Sequence, residues 1–171
     1  MCISPKQEKQ KLRNLIRSRF RKLKSKKSID LTVVEKLSQI INLNKYSSIL
    51  FYQPLADEVD ISDIFIHPQA KMDIYFPFFQ KHAIYHKDSR AEFSFDNLPK
   101  ISCVVLPGRV FDKNGNRIGR GFGWYDRLIK HLEPETEIIG VCFGFQIFDR
   151  VPVEKHDEKV HIVCTDQGIY K

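Results

Sequence analysis

The first part of the chain has the hydrophobic periodicity of helices. Within residues 6–24, apolar side chains recur at spacings of three and four, as expected for one buried helix face: Leu12, Leu15, Ile16, Phe20 and Leu23. A second helix is predicted over residues 30–43, with Asp30 or Thr32 near its N-cap. Their side-chain oxygens can accept hydrogen bonds from the unpaired amides of a first turn.

Short apolar runs further along predict the strands of a buried sheet. They cover residues 47–52, 72–76 (ended by Pro77), 82–86, 101–106, 137–142 and 161–164. Helices are predicted at 59–67 and over Tyr125 to Leu132, a loop at 91–99, and a hairpin at 109–119 around Asn114-Gly115. This alternation predicts one α/β domain over residues 1–171. We expect a three-layer sandwich with a largely parallel sheet, helices on both faces and a hairpin before a glycine-rich loop.

Positive charge is concentrated at the start of the chain. Residues 1–27 contain 11 of the 28 Lys and Arg side chains but only 1 of the 21 acidic ones. Such a segment can hold RNA, a membrane surface or a phosphorylated ligand, or it can be a solvated helix face. It also loosely resembles a transit peptide. No apolar run is long enough for a membrane span, and the four cysteines form no C-x-x-C pair, so a cytoplasmic protein is expected.

The glycine loop is the most informative segment. Gly119, Gly121 and Gly123 alternate with other residues directly before a predicted helix. Successive backbone amides in such a loop, with a helix N-terminus behind them, favour a phosphate, and two arginines (Arg117 and Arg120) add donors. Asp126 could hold Mg²⁺ beside the phosphates. The loop has neither the Walker A nor the dinucleotide spacing and could simply cap a helix, so the residues alone indicate a phosphate- or nucleotide-binding domain.

Residues 107–127 also resemble the signature of the 5-formyltetrahydrofolate cyclo-ligase family. The matching residues are Pro107, Gly108, Phe111, Asp112, Gly115, Arg117, Gly119, Arg120, Gly121, Gly123, Tyr125, Asp126 and Arg127. Weaker matches follow the family's order at 9–13 (KQKLR), 57–59 (DEV), 140–157 and 165–168 (TDQG). The resemblance thus spans nearly the whole chain and makes the basic first helix part of the fold.

The resemblance implies an ATP- and Mg²⁺-dependent enzyme that converts 5-formyltetrahydrofolate to 5,10-methenyltetrahydrofolate with release of ADP and phosphate. It implies catalytic roles for Arg120 and Tyr125 and metal ligands at Asp126 and Asp157. The implied ATP contacts are Lys9, Arg13, Arg117, Gly119, Arg120, Gly121, Phe122, Gly123, Trp124 and Tyr125. The implied folate contacts are Gln53, Glu58, Arg120, Gly121, Phe122, Gly123 and Trp124. A monomer without nucleic-acid or membrane partners is expected.

The chain departs from the family pattern mainly in residues 71–100. This segment is shorter than the family's usual connection and lacks its G-I-x-E-P-like turn, which concerns the folate half of the site. Two alternatives therefore remain: a relative with the same fold that acts on another metabolite, and an RNA- or anion-binding protein that uses the basic helix. The aromatic cluster Tyr75, Phe76, Phe78 and Phe79 is expected in the core, and no zinc site is expected at His82 and His86.

Overall fold

The computed structural model describes residues 4–41, 45–66 and 72–171. Its helices are α1 (Pro5–Arg21), α2 (Lys26–Ile40), α3 (Ser62–Ile66) and α4 (Trp124–Ile129). The strands of the main sheet are β1 (Ser48–Leu50), β2 (Asp73–Phe78), β3 (Ala83–His86), β4 (Glu92–Ser94), β5 (Cys103–Pro107), β8 (Glu137–Val141), β10 (Ile162–Cys164) and β11 (Ile169–Tyr170). A smaller sheet consists of β6 (Val110–Asp112), β7 (Arg117–Ile118) and β9 (Ile147–Phe148).

The main sheet has eight strands in the order β11-β10-β8-β5-β1-β2-β3-β4. Its five central strands are parallel, and β3, β4 and β11 extend it in antiparallel pairs. The central strands are almost continuously apolar and buried, as expected where both faces of a parallel sheet are covered. The predicted α/β class with a largely parallel sheet is therefore confirmed.

Helices cover both faces of the main sheet. Val33 and Leu37 of α2 pack on one face, and Trp124 and Leu128 of α4 pack on the other. The N-terminal helix α1 lies mainly against the smaller sheet, where Ile16 packs with a separate apolar group: Val110, Ile118 and Val151. The predicted hairpin is the β6–β7 pair, to which β9 adds a parallel third strand.

The predicted ends of several helices were wrong. The first helix begins at Pro5 because Ser4 and Gln7 form a capping box. The second begins at Lys26, so neither Asp30 nor Thr32 is its N-cap. Asp30 instead lies within α2, where it pairs with Lys26 and accepts the amide of Asp60. The predicted residues 42–43 and 67 lie outside the described part of the chain.

The remaining differences have local causes. The helix predicted from residue 59 begins at Ser62, where the Asp60 carboxylate accepts the Ser62 amide. Strand β2 continues through Pro77, because β1 pairs only as far as Tyr75 and no donor is needed from Pro77 on that side. Helix α4 ends at Ile129, and the chain then tightens into a turn. The predicted loop 91–99 contains β4 and a 3₁₀ turn.

Candidate functional site

The glycine loop connects β7 to α4 and has a backbone that favours glycine at two positions. Gly121 has φ +103° and Gly123 has φ +62°, a region that residues with a Cβ rarely adopt. Between them, Phe122 is 78% exposed, so the tip of the loop faces solvent. Arg13 of α1 donates from Nε to the Gly119 carbonyl at 2.9 Å and thereby joins the first helix to the loop.

Lys9 of α1 is buried and held by two carboxylates. Its Nζ lies 2.7 Å from Glu154 Oε2 and 2.5 Å from Asp157 Oδ2. Burial alone would lower the pKa of Lys9 and raise that of Asp157, but the hydrogen bonds between them outweigh burial. The pKa of Lys9 is therefore raised and that of Asp157 lowered, so both groups are charged near neutral pH.

Asp126 lies in the first turn of α4 and faces the segment that carries Asp157. Its Oδ1 accepts from Arg117 Nη2 at 2.7 Å and from the Glu158 amide at 3.2 Å. The predicted metal residues are thus brought to adjoining segments.

Among the described residues, one group has ligand atoms close enough to share a metal ion: Glu154, His156 and Asp157, within 4.8 Å of one another. It contains Asp157 but neither His82 nor His86. Glu154 and Asp157 supply carboxylate oxygens, the ligand type that Mg²⁺ prefers, and Asp126 lies on the adjoining segment outside this group.

Glu58 and Arg120 form the other half of the site, although 62 positions separate them in the chain. The Glu58 Oε1 atom accepts from Arg120 Nη2 at 2.9 Å and from Nε at 3.1 Å. Asp57 bridges Arg120 and Arg109. Burial alone would raise the pKa of Asp57, but hydrogen bonds from these two arginines outweigh burial and lower it. Glu58 is only 8% exposed, whereas the Arg120 side chain is 32% exposed, so this network joins a buried carboxylate to a partly exposed guanidinium of the loop.

An aromatic wall stands beside this network. The Trp124 ring meets Tyr125 at 5.0 Å, Phe79 at 4.9 Å and Phe95 at 5.2 Å between centroids. The Tyr125 hydroxyl is buried and has no hydrogen-bond partner among the described residues. Burial raises the pKa of Tyr125 far above its ordinary value, and the Glu58 charge adds to this. Tyr125 is therefore a neutral hydroxyl with a proton to donate.

The structure brings most of the sequence-predicted site residues together. Gln53 is exposed and follows β1, on the segment that leads to Glu58. Phe79 was missed as a site residue, because its aromatic neighbours suggested core. Tyr75 and Phe76 are indeed buried, but Phe79 is 49% exposed. Its ring contacts Trp124, the residue that directly follows the glycine loop.

Sequence reasoning also missed Phe95, Arg109 and Glu154. Glu154 lies three positions before Asp157, a spacing that places two carboxylates in one turn. Arg109 follows the Pro-Gly pair of the glycine-loop signature. Phe95 carried no such signal, because the segment around it was expected to be a loop.

The fold and these contacts define an α/β domain whose glycine loop is surrounded by basic and aromatic side chains. Residues 83–166 match the model of the 5-formyltetrahydrofolate cyclo-ligase family. This part of the chain, about half of its length, is similar to that family.

Two relatives and one solved structure are similar to this chain. A 5-formyltetrahydrofolate cyclo-ligase of Mus musculus is 39% identical over 72 residues, which cover 40% of this chain and 36% of that protein. One of Mycoplasma pneumoniae is 27% identical over 128 residues, 70% of this chain and 73% of that protein. The structure of a 5,10-methenyltetrahydrofolate synthetase from Mycoplasma pneumoniae superposes with a TM-score of 0.79 at 24% identity, covering 92% of this chain and 98% of that one. This likeness establishes the shared fold.

Proposed function

We propose that this protein uses ATP to convert 5-formyltetrahydrofolate to 5,10-methenyltetrahydrofolate, with release of ADP and phosphate. The main observation behind the proposal is that two different groups of side chains adjoin the same glycine loop. Basic side chains from α1 and β7 lie on one side of the loop. A buried carboxylate and an aromatic wall lie on the other. An enzyme that joins a nucleotide to a flat, polar heterocycle needs both.

The basic side chains support the nucleotide half of the proposal. Lys9 and Arg13 come from α1, and Arg117 and Arg120 come from β7 and the glycine loop. A phosphate chain in the loop would contact them together with the amides of residues 119–125. Asp126 and Asp157 would hold Mg²⁺, which supplies positive charge next to the phosphates when it is bound. Because these carboxylates already pair with Arg117 and Lys9, binding must exchange those ion pairs for contacts with ligand and metal.

The folate half rests on Glu58 and the aromatic wall. A carboxylate that is 8% exposed can accept hydrogen bonds from the N–H groups of a pterin ring in a site from which water is excluded. Phe122 is 78% exposed and offers a ring face to a flat ligand, whereas Trp124 is only 5% exposed and packs among the other rings of the wall. Gln53 is exposed on the segment that leads to Glu58. The short segment 71–100 contributes to this wall, because Phe79 and Phe95 flank Trp124 on both sides.

The proposed chemistry begins when the formyl oxygen of the folate takes the γ-phosphoryl group of ATP. Arg120 and Lys9 stabilise the negative charge that develops on the phosphoryl oxygens. The folate N10 then attacks the activated formyl carbon and loses its proton, phosphate leaves with the former formyl oxygen, and the new ring closes. Tyr125 keeps its proton because burial raises its pKa, so its role is to donate a hydrogen bond to an oxygen of the reacting groups.

The alternative RNA-binding function receives no support from the first helix. Phe20 is the only aromatic residue of the basic segment 1–27. Its ring packs edge-on against Phe143 and Phe145, with centroids 5.4 and 5.1 Å away. Its ring therefore cannot stack on bases, as single-strand binding requires.

The location proposed for the enzyme is the cytoplasm. Cys103, Cys142 and Cys164 are buried thiols, which fits a reducing compartment. Within the residues described, no helix has the length and apolar character needed to cross a bilayer.

The proposal is tested by phosphate release in three mixtures of protein and Mg-ATP. We expect release with 5-formyltetrahydrofolate, and none with tetrahydrofolate or without folate, because only the formyl compound offers the accepting oxygen. Equal release in all three mixtures would show an ATPase whose phosphoryl acceptor is water. No release in any of them would refute the activity.

A further inference from the structure

We propose that a second anion-binding site, for a small ligand with phosphate or carboxylate oxygens, lies outside the glycine-loop cleft. It is a half-open cavity of about 400 Å³ between the β6–β7 turn and strands β10 and β11, here called the basic pocket. Its lining consists of Lys113, Asn114, Gly115, Asn116, Lys159, His161, Val163, Tyr170 and Lys171. None of the residues proposed to bind ATP, folate or Mg²⁺ lines this cavity, so it is separate from that site.

The charge of the basic pocket points to an anion. Three lysines and a histidine line it together with two amide side chains, and its lining contains no Asp or Glu. Within the ranges that the structure describes, Lys113, Lys159 and His161 form no ion pair. Lys9, by contrast, is already neutralised by two carboxylates. The positive charges of the lysines around one cavity repel each other, and an anion would relieve this repulsion.

The walls of the basic pocket are held in place by the backbone. Gly115 has φ +80°, and a Cβ at this position would lie 2.1 Å from the Val160 carbonyl oxygen. The Val160 amide donates to the Gly115 carbonyl at 2.9 Å. The hairpin turn therefore packs directly against the segment that carries Lys159 and His161. This packing brings hydrogen-bond donors from distant parts of the chain to one cavity.

Two of the polar side chains are also oriented. His161 Nδ1 accepts the Ile138 amide at 3.0 Å, so the proton of a neutral imidazole lies on Nε2, which can donate to a ligand. The Lys113 ammonium lies 5.5 Å from the centre of the Tyr170 ring, a cation–π contact that restrains it at the cavity. An apolar floor of Val163 and Tyr170 leaves room for the carbon part of a small metabolite.

These donors suit a compact polyanion. Lysine ammonium groups act as point charges with three donors each, and they bind phosphate and carboxylate oxygens alike. The volume lies within the range of small-molecule sites and is too small for a macromolecule to enter. We therefore assign the ligand only as a small molecule with at least two anionic oxygens. The experiment below distinguishes phosphate oxygens from carboxylate oxygens.

The test is a titration of the full chain with inorganic pyrophosphate and, separately, with citrate, followed by NMR. The signals to follow are the amides of Asn114 and Gly115 and the ring of His161, because these report on the basic pocket and not on the glycine loop. The variant is Lys113→Glu/Lys159→Glu. Its matched control is Lys24→Glu/Lys27→Glu, which makes the same change of charge on exposed residues at the start of α2, whose packing is on the opposite sheet face.

We expect saturable shifts of the pocket signals with at least one probe. The pocket variant should weaken binding about tenfold or more, since it removes two charge-assisted contacts, while the control should change it less than about twofold. Saturation by pyrophosphate alone identifies phosphate ligands, and saturation by citrate alone identifies carboxylates. Absence of saturation, or equal weakening by both variants, would refute the site. If the Glu variant melts below the wild type, Lys113→Gln/Lys159→Gln replaces it under the same criteria.

Discussion

Replacing Lys9 with methionine should destabilise the protein as well as weaken ATP binding. Methionine keeps the aliphatic stem of Lys9, so the change removes mainly the charge that pairs with Asp157. The side chains of Lys9 and Asp157 are 7% and 16% exposed, and removing one partner leaves an uncompensated, largely buried charge. For fully buried pairs this costs about 3–5 kcal/mol. Partial exposure of this pair reduces the expected loss to about 2 kcal/mol.

For a chain of this size, that loss corresponds to a fall in melting temperature of about 4–8 °C. The assay is thermal or urea unfolding at neutral pH, followed by calorimetric titration with Mg-ATP. The matched control is Lys11→Met, on the same helix but exposed, for which we expect a change within about 0.5 kcal/mol. Equal melting of the Lys9 and Lys11 variants would show that the buried ion pair does not join α1 to the segment around Asp157.

The pH dependence of this difference follows from the two pKa shifts. The Asp157 pKa is held below its ordinary value of 3.8, so its contribution is present above that pH and lost as pH falls through the folded-state pKa. The Lys9 pKa is raised above 10.5, so its contribution is present below that pH and lost as pH rises through the folded-state value. The stability difference between wild type and Lys9→Met should therefore be constant from about pH 5 to pH 10 and shrink on both sides.

Three further substitutions test the proposed metal site, the proposed folate site and the hairpin turn at the basic pocket. Asp126→Asn should weaken Mg²⁺-dependent ATP binding about tenfold or more in calorimetry, and unchanged affinity would remove it from the metal site. Glu58→Gln should lose most turnover while ATP affinity is kept, because a neutral amide pairs less well with pterin N–H groups; normal turnover would contradict its role. Gly115→Ala should cost about 2 kcal/mol or more in urea unfolding, because its Cβ would meet Val160. The control Gly168→Ala, which has room, should cost less.

The central sheet could be predicted from the sequence because its signal is local. Runs such as 101–106 are apolar at every position except Ser102 and can only be accommodated where both faces are covered. The extent of β2 could not be predicted, since a proline normally ends a strand. Pro77 is accommodated because β1 pairs with β2 only as far as Tyr75, so no hydrogen bond from residue 77 to β1 is missing. Strand pairing of this kind is not visible in the local sequence.

The candidate site was predictable where one segment carries several of its residues. The glycine loop and Asp126 lie within twenty residues, and their spacing is a strong pattern. The pairing of Glu58 with Arg120 depends on strands that meet only in the folded sheet. The position of Phe79 depends on the turn after β2, because apolar composition alone cannot distinguish a core aromatic residue from one that lines a cleft.

The most direct test of the proposed function is formation of the methenyl product. Wild-type protein is mixed with Mg-ATP and 5-formyltetrahydrofolate, and the absorbance band of 5,10-methenyltetrahydrofolate is followed while ADP is measured in the same samples. We predict that the band rises only when protein, ATP and formyl-folate are all present, with one methenyl product formed for each ADP. ATP consumption without that band, or no reaction at all, would contradict the proposal.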